Sequence, residues 1–291
     1  MRRIESYQIA GLVFSLDIEA NDALWDELSN YEPFKVSLCG HPSFTFKVVD
    51  RLPEVKRIKI IAETSGKNQR ITLTSCGYLL TTSLFLNGEL LQYKCLFKED
   101  FSEGEIILRT HCKAALDSAI STMYFFAKER HGVLQMHASC IIKDGKAVLF
   151  HAKSGTGKST HSQQWMKAFP DAELLNDDGP IVRVWPDGRI IAYGSPWSGQ
   201  TPCYKNLSAP VAAFVRINRA NENKIHRLNP VQAYASLLPS CTGVKWNDDL
   251  RNYTHQTMQK VISTVPFYQL DCLPNEDAAR VCATEVLKLH E

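Results

Sequence analysis

The segment HAKSGTGKSTHSQQW, His151 to Trp165, constrains the fold of this chain more than any other stretch. A strand-forming run, KAVLF, leads into it, and a helix-forming run, THSQQWMKAF, leads out and stops before Pro170. A strand must therefore hand over to a helix through a tight loop. Gly155 and Gly157 let the backbone curl until successive N–H groups converge, and a helix starting near Lys158 aims its positive end at the same point. The spacing is that of a phosphate-binding loop: a small residue, four variable ones, then Gly-Lys-Ser. Ala152 stands where the first glycine is usual, one small residue for another. Ser154, Gly155, Thr156, Gly157, Lys158, Ser159 and Thr160 are thus the expected phosphate contacts. Lys158 serves as a point charge on the terminal phosphates and Ser159 as a hydroxyl ligand to Mg²⁺. The expected ligands are ATP, or another nucleoside triphosphate, and Mg²⁺. A loop of this kind leaves the reaction open, because transporters, switches, motors and kinases share it.

The surroundings divide the chain. Up to about Phe101 the pattern is mainly of strands, SYQIAGLVFSLDI, FTFKVVD, IKIIAET and RITLTS, then a hairpin turning at Asn87-Gly88. From Cys112 to His131 the apolar period turns helical, through Leu116, Ile120, Met123, Tyr124 and Ala127, with Gly132 as the stop. Strand pairs then turn at Asp144-Gly145 and at Pro186-Asp187-Gly188. AAFVRIN reads as a strand, followed by helices near 230–239 and 247–262, the strand VPFYQLDC and a terminal helix. The expectation is an α/β (α+β) chain: an antiparallel, β-rich N-terminal domain over 1–110 and a nucleotide-binding domain with a mixed sheet over 111–291. At 291 residues, 44% hydrophobic and 22% charged, either part can bury a core. A net charge of +2 without a Lys/Arg run gives no reason to expect nucleic acid as a partner. Nine scattered cysteines without a CxxC pair, odd in number, read as free thiols in a reducing compartment. The N-terminal apolar run is broken by Ser15, Asp17 and Glu19, so neither a signal peptide nor a membrane span is expected, and the location reads as cytoplasmic. The chain is compatible with a homo-oligomer.

What happens to the terminal phosphate turns on LLNDDGP, an apolar run ending in Asp177 and Asp178. Oxygen ligands at a strand tip near the loop suit Mg²⁺. Neighbouring strand residues point to opposite faces, so the two acids should divide the work, one holding metal and the other taking the proton of an attacking hydroxyl. His137, in the strand LQMHASCII, is by itself an ordinary structural histidine, and His151 and His161 flank the loop without a motif. The YGSPWSGQ loop, with Trp197, Ser198 and Gly199, either covers an acceptor or packs as a turn. Arg216, Arg219 and Arg227 are candidates for balancing the charge of a transferred phosphate, with an ordinary surface position as the plainer reading of each.

MHAS on one strand, SGTGKST after the next and NDD further on resemble the catalytic domain of the HPr kinase/phosphorylase family, whose nucleotide fold is related to that of phosphoenolpyruvate carboxykinase. The recognisable motifs lie within about 132–200. The resemblance implies that Asp177 is the base for the acceptor hydroxyl, that Asp178 joins Ser159 in holding Mg²⁺, and that His137 interacts with the catalytic acid. The family's acidic, Arg-Gly-containing signature after the acid pair is here IIAYGSPWSGQ, without that acid or arginine, so neither phosphorylase activity nor HPr itself as substrate is expected. In size the chain is similar to compact members associated with peptide natural-product pathways. The implied activity is an NTP-dependent Ser/Thr kinase, with Asp177, His137 and Lys158 catalytic, acting on a small protein or precursor peptide. The alternatives are a small-molecule hydroxyl acceptor and a nucleotide-binding regulator without turnover.

Overall fold

The computed structural model describes residues 1–20, 23–64, 68–86, 88–108, 112–199, 201–243 and 246–288. The chain divides into two compact units, Met1–Lys128 with Lys245–Asn247, and Glu129–Val244 with Asp248–Glu291. Both are built on mixed sheets, so the chain is α+β.

The first unit contains β1 (Arg2–Ile9), β2 (Leu12–Glu19), the single turn α1 (Leu24–Glu27), β3 (Lys35–Val36), β4 (Phe44–Val48), β5 (Arg57–Glu63), β6 (Gln69–Thr74), β7 (Gly77–Leu86), β8 (Glu89–Phe97), β9 (Glu103–Ile107) and α2 (Lys113–Ala127). Its nine strands run in the order β3-β1-β2-β4-β9-β8-β7-β6-β5. The sheet is not purely antiparallel as expected, because β4 lies parallel to both β2 and β9. The 24-to-43 connection, with its 3₁₀ turn Ser29–Phe34, carries the chain back across the sheet before β4, which a tight hairpin cannot do. The expected β7–β8 hairpin is present, with Leu86 opposite Glu89, while Asn87 of its turn lies outside the described residues. The helix expected over Cys112–His131 ends at Ala127 and tightens into a 3₁₀ turn over Lys128–His131. The expected boundary after residue 110 differs from the observed one, after Lys128. The reason is packing: the Tyr124 hydroxyl donates to the Ile9 carbonyl at 3.1 Å, and Phe126 sits against Phe97 and Phe101.

The second unit comprises β10 (Val133–Gln135), β11 (Ala138–Lys143), β12 (Lys146–His151), α3 (Lys158–Ala168), β13 (Glu173–Asp177), β14 (Ile181–Val184), β15 (Ile190–Tyr193), β16 (Ser208–Arg219), β17 (Lys224–Arg227), α4 (Pro230–Leu237), α5 (Asp248–Thr264), β18 (Phe267–Cys272) and α6 (Glu276–Leu287). The order is β10-β14-β15-β16-β12-β11-β13, with β18 against β16 and β17 against β18. Period-two alternation sends side chains to two cores. Ala147 and Leu149 of β12 join Ala233 and Leu237 of α4 and Met258 and Val261 of α5. Val148 and Phe150 join Trp165 of α3 and Ala278, Cys282 and Ala283 of α6. Helices thus cover both faces. β12, β16 and β18 run parallel, and β13, antiparallel to β11, points the same way as β12. The carboxyl ends of all four therefore open at one edge of the sheet, where open α/β sheets bind ligands. All nine cysteines are free, and among the described residues no helix is long and apolar enough to cross a membrane.

Candidate functional site

The segment from Ala152 to Gly157 joins β12 to α3 and forms the floor of a cleft of about 540 Å³ at that edge. The loop depends on its glycines: Gly155 has φ of 75° and Gly157, which caps α3, has φ of 119°. A side chain strains both conformations. With Gly157 in this state the first turn of α3 begins at Lys158, so the lysine and Ser159 lie at the positive end of the helix. The helix is fixed from below by Trp165, fully buried, whose indole N–H donates to His161 Nε2 at 3.0 Å, and by Ser162, whose hydroxyl donates to Ser139 Oγ of β11 at 2.7 Å.

The structure brings together Lys158, Ser159, Asp177, Asp178 and His137, and with them Ser154, Gly155, Gly157 and Thr160 of the loop. Thr156 lines the adjoining recess. The pairing inside this group differs from the expected one. Ser159 Oγ donates to Asp177 Oδ1 at 3.0 Å, whereas His137 Nε2 faces Asp178 Oδ1 at 3.1 Å. Asp177 is the last residue of β13, only 4% exposed, and turned under the loop. Asp178 is the first residue beyond the strand, and its side chain is half exposed. His137 is not in a strand as expected. It occupies the bend between β10, which pairs with β14, and β11, which pairs with β12 and β13; the change of partners breaks the ladder there. Because β11 and β13 are antiparallel, the residue before one and the residue after the other emerge side by side.

Asp178 is held in an unusual state. Its φ of 101° is a region left mostly to glycine, at a cost of about 1–3 kcal/mol for another residue. Its N–H donates to the Ala138 carbonyl at 2.8 Å. The YGSPWSGQ loop closes over the same turn: Gly199 N–H and Ser198 Oγ both donate to the Asp177 carbonyl, at 2.7 and 3.0 Å. A β-carbon on Gly199 would stand 2.9 Å from that of Asp178, so this approach requires glycine. Asn176, fully buried, fastens the two segments. Its amide donates to the carbonyls of Trp197 at 3.0 Å and Ser195 at 3.3 Å and accepts from Gly179 N–H at 2.8 Å.

Burial pushes the Lys158 ammonium pKa below its ordinary value, opposed by the charges of Asp178 and then Asp177. The two flanking histidines are structural. Burial brings His151 down to about 3, with the charges of Arg216 and Lys158 adding to the effect, and burial alone brings His161 to about 3. Arg219 is exposed, as the sequence reading had it, and also lines the cleft: its guanidinium donates to the carbonyls of Thr156 at 2.9 Å and Gly155 at 2.5 Å. Its position at the carboxyl end of the strand beside β12 was the available signal. Gln163 and Thr201 also line the cleft, and neither belongs to a motif.

The model of the family described as SynChlorMet cassette protein ScmC matches residues 107–274. The chain belongs to the ScmC family. The ScmC match takes in the whole cleft, from His137 to Arg219. No curated protein matches the chain at a significant level. Among solved structures, the Hpr(Ser) kinase/phosphatase from Coxiella burnetii is similar over 53% of this chain and 97% of that one, at 11% identity and a TM-score of 0.33.

Proposed function

We propose that this ScmC-family chain is a nucleoside-triphosphate-dependent kinase that transfers a γ-phosphoryl group to the hydroxyl of a Ser or Thr in a small protein or precursor peptide. The observation that carries the reading is the double pairing beside Lys158: Ser159 with Asp177, and His137 with Asp178. Sequence resemblance to the HPr kinase motifs supports it. A hydroxyl next to a buried carboxylate is a hard-oxygen donor pair that fits Mg²⁺. Among the described residues no group of three or more His, Cys, Asp or Glu side chains converges as a metal site. Mg²⁺ at nucleotide sites is held by one or two protein oxygens and completed by phosphate and water. Ser159 and Asp177 would hold it, and when bound it supplies charge neutralisation across the β- and γ-phosphates.

In this reading the two acids exchange the roles implied by the resemblance. Asp178, half exposed and in contact with His137, reaches an incoming hydroxyl, which the buried Asp177 does not. The acceptor oxygen forms the new bond to γ-phosphorus as the bond to the β-bridging oxygen breaks, and the acceptor proton passes to the Asp178 carboxylate, oriented by His137. Lys158 and the amides of Gly155–Ser159 hold the phosphates in line. The nine free thiols support a reducing, cytoplasmic setting.

The test is incubation of the full chain with ATP, Mg²⁺ and serine-containing candidate peptides, read by mass spectrometry. Transfer that disappears in Lys158→Ala is expected; unchanged transfer in that variant refutes the assignment. Tight nucleotide binding with no acceptor-dependent loss of the γ-phosphate would instead establish a nucleotide-sensing regulator.

A further inference from the structure

A second recess, of about 340 Å³, adjoins the phosphate cleft and shares Gly157, Thr160 and Arg219 with it, while Thr156 lines the recess alone. Its remaining wall is mainly apolar: Ile217 and Ala220 at the end of β16, and Cys272, Leu273 and Pro274 where β18 leads into α6, with the His161 ring of α3 beside them. We infer that this recess takes the base of the nucleotide whose phosphates lie over the loop, an inference that rests on the reading of the cleft as a nucleotide site. The argument is one of direction. Along the sheet edge β13 lies on one side of β12 and the β16–β18 pair on the other. The acids at the end of β13 fix where the terminal phosphate must sit, because both the metal ligands and the base are there. A triphosphate that crosses the loop from that end emerges at β16 and β18, and the recess is what it meets.

The chemistry of the wall agrees. The volume is within the range of small-molecule sites, and apolar walls with few polar groups suit a flat heterocycle. Backbone donors at the rim are already engaged: Ala220 N–H donates to the Cys272 carbonyl at 3.1 Å and Leu273 N–H to Asn223 Oδ1 at 2.9 Å, while Pro274 has none. With those N–H groups engaged, packing against the apolar wall is the main contact offered to the base, and adenine and guanine are expected to bind with similar affinity. Arg219 holds the junction in place through its two bonds to loop carbonyls.

Titration calorimetry with ATP, GTP and inorganic tripolyphosphate, on the wild type and on Leu273→Asp and Ala220→Trp, tests this. Leu273 is a surface position, and tripolyphosphate binding reports that the loop remains folded. The expected result is that ATP and GTP bind the wild type within about tenfold of each other and more tightly than tripolyphosphate. Both variants should lose about tenfold or more in ATP and GTP affinity and leave tripolyphosphate unchanged. Nucleotide affinity untouched in both variants, an equal loss for all three ligands, or a wild type that prefers one purine by more than a hundredfold overturns the inference. A wild type that binds none of the three overturns the phosphate-cleft reading itself, and the inference with it.

Discussion

Two adjacent aspartates with different neighbours make the sharpest residue-scale prediction. Asp177 ends a strand and is turned inward to Ser159; Asp178 follows in a positive-φ conformation and meets His137. Replacing Asp178 by Asn should leave Mg²⁺-nucleotide affinity within about threefold and lower kcat by roughly 10²–10⁴, the range of a lost general base. Asp177→Asn should weaken Mg²⁺-dependent nucleotide binding about tenfold or more, equivalent to at least ~1.4 kcal/mol. Calorimetry and initial rates on the two variants separate the outcomes. If nucleotide binding survives in Asp177→Asn while turnover disappears, the roles revert to those implied by the sequence resemblance.

At the scale of elements, α3 carries Lys158 and Ser159 while one buried amide ties down the acid-bearing turn. Asn176 joins the acid-bearing end of β13 to the loop that follows β15, and Ser195 Oγ completes the tie by donating to the Gly179 carbonyl at 2.7 Å. Removing the Asn176 side chain takes the acceptor from the Gly179 N–H and a donor from the Ser195 and Cys203 carbonyls, at a cost on the order of 1–3 kcal/mol. Asn176→Ala should therefore lower the urea midpoint and also open the 194–199 loop. Limited proteolysis within that loop, faster than in wild type at equal temperature, is the corresponding readout.

For the whole molecule, two buried rings contribute to the acid response above the range in which the carboxylates titrate. His151 and His161 lie at about 3 in the folded chain against an ordinary value of 6.5, so both are neutral when folded. Between those two values the unfolded chain binds more protons than the folded one. Stability is therefore full above about pH 6.5 and falls as the pH drops toward 3, by up to about 1.4 kcal/mol per pH unit for each histidine. Urea unfolding at a series of pH values should show this slope, and His161→Phe should flatten it between about pH 6.5 and 5, where the carboxylates contribute least. An unchanged slope in that variant would assign the acid sensitivity to other groups.

The sequence by itself determined what is local. The strand–loop–helix around the 152–157 loop, the Asp144-Gly145 hairpin and the two acids ending an apolar strand depend on residues a few positions apart, whose conformational preferences act without distant partners. What only the tertiary structure decided is which distant residues meet. The parallel insertion of β4, the attachment of α2 to the first unit, the pairing of His137 with Asp178 and the arrival of Arg219 at the loop carbonyls all arise from strand order. Strand order is set by the burial of apolar faces across the whole chain, and spacing along the sequence carries no record of it.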